Sequence, residues 1–162
     1  MKKKKNNWMN VAMLIAAFSL SSFLGHAQKI PTVQNYLAGL SAADQQTVNS
    51  LMNSAQPTAA VTANGLRVFG SGSATVLDFN INNFNSVNFN DALLSNVQLI
   101  KIRLNSIADF SQVLDLSAAS VLSQLNCVLL ISSVNATTVQ LNSVLQNVPT
   151  NVSTCYSVSI PN

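Results

Sequence analysis

Val97-Gln98-Leu99-Ile100-Lys101-Ile102-Arg103-Leu104-Asn105-Ser106-Ile107 is the stretch on which the fold turns. Side chains on a strand alternate between its two faces, so Ile100 and Ile102 share one face while Lys101 and Arg103 share the other. Counted from Val97, the residues at places 1, 4, 6, 9 and 11 are Val97, Ile100, Ile102, Asn105 and Ile107. Ala74, Leu77, Phe79, Asn82 and Phe84 hold the same five places 23 residues earlier. A degraded third copy starts at Leu125 and runs through Val128 and Leu130, with Ser133 in place of Asn and Asn135 in place of an apolar residue. Tyr156-Ser157-Val158 lies 28 residues beyond Val128-Leu129-Leu130, which itself lies 28 beyond Ile100-Lys101-Ile102. Such a period marks stacked copies of one unit, each burying an apolar face on the next. The expectation is four neighbouring parallel strands at 76–81, 99–104, 127–132 and 155–160, with positions 100, 128 and 156 side by side.

The pattern resembles the leucine-rich repeat, over about half of the chain that follows residue 27. That resemblance implies short strands whose places 4 and 6 point into the core, Asn82 and Asn105 bonded to backbone groups at the bend, and helical or irregular return segments. Leu116, Val121, Leu122 and Leu125 recur at helical spacing, as do Val139, Leu141, Val144, Leu145 and Val148, and each set would cover the far side. The fold class expected is α/β with an N-terminal helix, built either as a short leucine-rich-repeat-like parallel-strand solenoid or as a plain βαβ layer.

Three segments are expected along the chain: an export signal at 1–27, a cap of helix and hairpin at 28–72, and the repeat domain at 73–162. The first combines Lys2 to Lys5, an apolar run from Val11 to Leu24, and small residues at Gly25 and Ala27, the pattern of a cleaved secretory signal. The apolar run is too short to span a bilayer as a helix, so no membrane span is expected once it is removed. The Gly-His-Ala-Gln junction resembles those of secreted Bacteroidetes proteins. Within the cap, Ser41 with Asp44 three places on starts a helix over 41–55, which Pro57 stops. Asn64-Gly65 between Val61 and Leu66 reads as a tight hairpin turn. Gly70-Ser71-Gly72-Ser73 reads as a joint.

Composition narrows the chemistry. Charged residues are 8% of the chain and hydrophobic ones 48%, which excludes a coiled coil, an acidic disordered tail and a polybasic nucleic-acid binder. From Gln28 onward Lys29, Arg67, Lys101 and Arg103 face Asp44, Asp78, Asp91, Asp109 and Asp115, four against five, a balance of −1. There is no Glu, and the one His, His26, departs with the signal. Ser-His and Cys-His nucleophile pairs, His-ligated metals and paired-Glu glycosidases therefore have no residues to use. No cofactor is implied. The enzyme class that stays open is a hydrolase of cell-wall or glycan substrates acting through Asp78 or Asp91.

The outward strand positions give a candidate binding surface: Asp78, Asn80, Lys101, Arg103, Leu129 and Ile131. Asp78 beside Lys101 is expected as a surface ion pair. Leu129 and Ile131 would meet the N-terminal helix or a partner protein. Cys127 and Cys155, 28 apart, become lateral neighbours in the repeat, so a disulfide is expected in an oxidising compartment. Alternating Asn and apolar residues between Asn80 and Asn96 leave room for an adhesive, fibre-forming surface protein. The function expected is that of a secreted or periplasmic binding or structural module. Its partner is a protein or surface ligand of a kind the sequence does not specify, and no nucleic acid.

Overall fold

The alternation that begins at Val76 builds a sheet, and the Ser- and Asn-rich segments between its strands build the returns across the core. The computed structural model describes residues 29–62 and 65–160. The segment 1–27 expected as an export signal and Asn64 of the expected turn lie outside the described residues. In chain order the elements are α1 (Val33–Ala38), α2 (Ala42–Asn53), β1 (Thr58–Thr62), β2 (Gly65–Phe69), β3 (Val76–Asn80) and β4 (Leu99–Leu104). There follow β5 (Leu114–Asp115), β6 (Cys127–Ser132), α3 (Thr138–Val144), β7 (Leu145–Gln146) and β8 (Ser153–Val158).

Six strands form one sheet in the order β2-β1-β3-β4-β6-β8, parallel throughout except where β1 and β2 make the antiparallel hairpin. The class is mixed α/β. The cap hairpin joins the repeat strands edge to edge through β1 and β3. Gly70, at φ +98°, ends β2 where a Cβ would come within 3.2 Å of Pro57 Cα. A side chain there would meet both strain and a clash.

One core lies between the sheet and the returns. Places 1, 4 and 6 of every copy are buried in it: Ala74, Leu77 and Phe79; Val97, Ile100 and Ile102; Leu125, Val128 and Leu130. The returns are mostly tight 3-10 turns, at Ile81–Ser86, Ala92–Leu94, Ile107–Ser111 and Ser117–Val121. The helical spacing read around Leu116 to Leu125 yields only the last of these. Ser and Asn compete for backbone hydrogen bonds, and a short turn suffices to bury Leu116, Leu122 and Leu125 while Val121 stays exposed. Val139 to Val144 does become a helix, α3, capped by a reciprocal Thr137–Gln140 pair. Its Leu141 and Val144 face the core and Val139 faces out. On this far side β5 and β7 pair in parallel as a small second ladder.

Two expectations need correction. Ile107, expected in the core at place 11, is 71% exposed, and Phe110 fills the core beside it instead. The last strand sits two residues out of the expected step. Leu77 lies opposite Ile100 and Ile100 opposite Val128, but Val128 lies opposite Thr154 and Tyr156 opposite Leu130. The last step is therefore 26 residues, 154 less 128. Strand faces repeat every second residue, so a slide of two leaves the inward and outward sets unchanged, and the apolar pattern does not choose between the registers. The N-terminal segment contributes to that choice, for Thr32 bridges Tyr156 and the Tyr156 N–H donates to the Pro31 carbonyl at 3.0 Å.

A second, smaller apolar cluster lies on the outer face. Met52, Val76, Leu99, Cys127, Leu129 and Cys155 are buried there, with Val33, Tyr36, Val48 and Leu51 packed over them from α1 and α2. Among the described residues, no helix is long and apolar enough to cross a membrane.

Candidate functional site

The two short helices cover only part of the outer face, and the strand residues beyond them form a polar strip. Asp78, Asn80, Arg103, Asn105, Ser133 and Ser157 are exposed or half-buried along it. Asp78 stands opposite Lys101 in the ladder, as expected from the repeat. Its ion pair, however, is with Arg103: Nε donates to Oδ1 at 2.7 Å and Nη2 to Oδ2 at 2.6 Å. The planar fork of the guanidinium matches both carboxylate oxygens, a match a Lys ammonium does not make. This hydrogen bonding to Asp78 raises the Arg103 pKa above its ordinary value.

Lys101 serves another purpose. Its Nζ donates at 2.8 Å to the carbonyl of Met52, in the last turn of α2. Free carbonyls and the negative end of the helix dipole favour a cation there, so Lys101 fastens α2 to the sheet. Burial lowers its pKa. Leu129, expected on an open surface, is buried beneath the helices, and Ile131 at their margin is half-buried. Of the six surface residues expected, Asp78, Asn80, Arg103 and Ile131 thus remain on the strip, while Leu129 and Lys101 belong to the helix contact.

Beside the ion pair runs an amide and hydroxyl ladder. Asn105 Nδ2 donates to Asn80 Oδ1 at 2.9 Å, and Ser133 Oγ donates to Asn105 Oδ1 at 3.4 Å. Asn82 hydrogen-bonds Gln112 and, at 3.4 Å, Asp109. The two repeat Asn residues therefore bond side chains, not the bend backbone that the leucine-rich-repeat resemblance implied. That role passes to Asp109, whose Oδ2 accepts the N–H groups of Asn105 at 2.7 Å and Ser106 at 3.2 Å, while its Oδ1 accepts Ser106 Oγ at 2.8 Å. Burial raises the Asp109 carboxyl pKa, and these donors outweigh it to leave the pKa below the usual range. The Ser106-x-x-Asp109 spacing is a capping-box signature that the repeat reading passed over.

Asp91, the other carboxylate considered for hydrolysis, accepts the Leu93 N–H at 2.9 Å and caps a 3-10 turn. The Asn-rich stretch that starts with Asn80, the last residue of β3, continues as turns in which Ile81 and Phe89 are buried and Phe84 packs against Phe79 and Phe89.

Cys127 and Cys155 are buried free thiols, with Sγ atoms 3.8 Å apart in a thiol–thiol hydrogen bond. They are diagonal neighbours. Cys127 lies opposite Ser153 and Cys155 opposite Leu129, which places their Cα atoms about 8 Å apart by strand spacing and rise. The hydrogen bond with Cys127, with burial next, pushes the Cys155 thiol pKa far up. Tyr36 packs over the cluster that holds both cysteines, and burial raises its hydroxyl pKa. At the β8 edge opens a cavity of about 690 Å³, lined among others by Pro31, Tyr36, Asn142, Asn147, Ser153 and Thr154. Asn147 there adopts φ 52° and donates to Asp115 Oδ2 at 3.0 Å. Among the described residues, no charged side chain lines this cavity. Comparison with protein-family models, curated proteins and solved structures finds no match to this chain.

Proposed function

We propose that the chain is a secreted or periplasmic binding module that presents the uncovered strip of its sheet to a protein or surface ligand. The observation that carries this reading is the half-covered outer face. α1 and α2 bury Leu129, Leu99 and Val76, while Asn80, Arg103, Asn105, Ile131, Ser133 and Ser157 are left by the same strands in a row. The hydrogen bonds among Asp78, Arg103, Asn80, Asn105 and Ser133 hold these side chains in place before any partner arrives, so little further ordering is needed on binding. The strip holds one neutral ion pair and several amides and hydroxyls, so its partner is polar and nearly uncharged.

The architecture is read as a short solenoid of the leucine-rich-repeat kind. Consecutive strands in spatial order, buried places 1, 4 and 6, 3-10 returns and a second parallel ladder on the far side support it. The Lys-rich start, apolar run and small residues before Gln28 support export.

The test is capture of envelope and extracellular components by immobilised protein, compared with Asn80→Lys and Ser157→Arg variants and with Val139→Lys on the opposite side. Capture lost in both strip variants and kept in Val139→Lys, at equal melting temperatures, supports the reading. Equal capture by all four proteins removes it.

A further inference from the structure

We propose that Cys127 and Cys155 form a reversible redox pair whose oxidation draws β8 along β6 and reshapes the adjoining cavity. The sulfurs already touch at 3.8 Å, yet the register sets their Cα atoms about 8 Å apart, beyond the 4.4 to 6.8 Å that an unstrained disulfide spans. Closing the bond therefore takes backbone movement. β8 is the element placed to supply it, because a two-residue step along β6 keeps its outward residues outward and would bring Cys155 opposite Cys127. β8 is also the last strand of the sheet, and on its outer side the pairing among the described residues is the Thr32–Tyr156 bridge. A bond closed under such strain is readily reduced, which is the property of regulatory disulfides and not of permanent staples.

The movement has somewhere to go. Tyr36 packs over the cluster that holds Cys127 and Cys155, α1 contacts β8, and Tyr36, Ser153 and Thr154 line the cavity with Pro31 and Asn142. A shift of β8 thus moves one cavity wall and pulls on α1.

The chemistry is thiol–disulfide exchange with a small-molecule or protein disulfide. One thiol loses its proton, and its thiolate attacks the donor disulfide, releasing one donor thiolate and forming a mixed disulfide. The second cysteine then loses its proton, attacks that mixed disulfide and expels the other donor thiolate. Two electrons reduce the donor to two thiols, which take up the two protons. With Cys127 2% and Cys155 0% exposed, exchange proceeds through local opening of β8. This inference stands on the register and the sulfur contact and is independent of the binding face proposed above.

The test equilibrates the native protein in glutathione buffers from fully reduced to fully oxidised, quenches with an alkylating agent and reads intact mass and amide hydrogen exchange. Expected is one transition between a doubly alkylated dithiol and an unalkylated disulfide, reversed by reduced glutathione without unfolding. Exchange should change in 153–158 and 33–38 and stay constant in β1 to β3. The proposal is overturned if the native pair never closes, if the closed bond resists reduced glutathione, or if it closes with exchange unchanged in β8 and α1.

Discussion

Replacing Asp109 by Ala removes the group that holds the bend after β4, and the size of the loss follows from its bonds. The carboxylate accepts two backbone N–H groups, at 2.7 and 3.2 Å, and the Ser106 hydroxyl at 2.8 Å, in a residue that is 4% exposed. Hydrogen bonds to a charged group contribute about 1.5 to 3 kcal/mol each, and abandoned donors near the surface recover part of this from water. A net destabilisation of about 3 kcal/mol follows, on the order of a 10 °C fall in melting temperature for a domain of this size. Asp109→Asn keeps the volume but turns one acceptor into a donor, so it should fall between wild type and Ala.

The pH dependence makes the test specific. The folded Asp109 pKa is depressed, so its stabilisation is complete above the unfolded carboxyl value near 4 and is lost as pH falls through the folded value. The chain has five Asp and no Glu, so few other carboxylates obscure the effect. Urea unfolding at pH 7 and at points below pH 4 should show the gap between wild type and Asp109→Ala narrowing as the medium becomes acid. A gap under about 0.5 kcal/mol at pH 7, or one unchanged by acid, would mean that the Asp109 carboxylate does not hold the bend.

Further outcomes follow from the same contacts. Leu141→Ala should cost about 2 to 4 kcal/mol by thermal or urea melting while Val139→Ala, on a residue 76% exposed, changes stability by less than about 0.5, which checks the face α3 turns inward. A double-mutant cycle on Asp78 and Arg103 should give a coupling of about 1 kcal/mol, the upper end for an exposed but bidentate pair, and it should shrink in 1 M salt. Lys101→Met keeps the apolar stem but loses the bond to the Met52 carbonyl; a loss of about 1 kcal/mol with faster amide exchange at the end of α2 is expected. Gly70→Ala should destabilise by more than about 1 kcal/mol, because φ is positive and Pro57 occupies the space.

Period and alternation made the centre of the molecule legible. β4 and β6 occupy the residues expected, 99–104 and 127–132, because alternating apolar residues there have one buried arrangement. Ser41 starts α2 as its capping spacing implied. Legibility fails where a choice depends on something other than apolar pattern. The two candidate registers of β8 bury the same faces, and Tyr36, Pro31 and Thr32, which meet β8 in the observed one, are far away in sequence. Arg103 and Lys101 look alike as outward cations, but guanidinium geometry gives Arg103 the carboxylate, while Lys101 reaches the α2 end that comes to lie over it. Leu129 on the outer face reads as exposed until the helices that cover it are placed. The strip is legible as Asp78, Asn80, Arg103 and Ile131, whereas Asn105 and Ser133, at the Asn place of the repeat, join it through side-chain bonds.

Interstrand proton contacts in a nuclear magnetic resonance spectrum of the labelled protein test the parallel stack and its register together. The parallel stack gives backbone contacts that pair Ile100 with Val128 and Val128 with Thr154, and that set Cys155 beside Leu129. Contacts pairing Val128 with Tyr156, or antiparallel contacts between β4, β6 and β8, would contradict it.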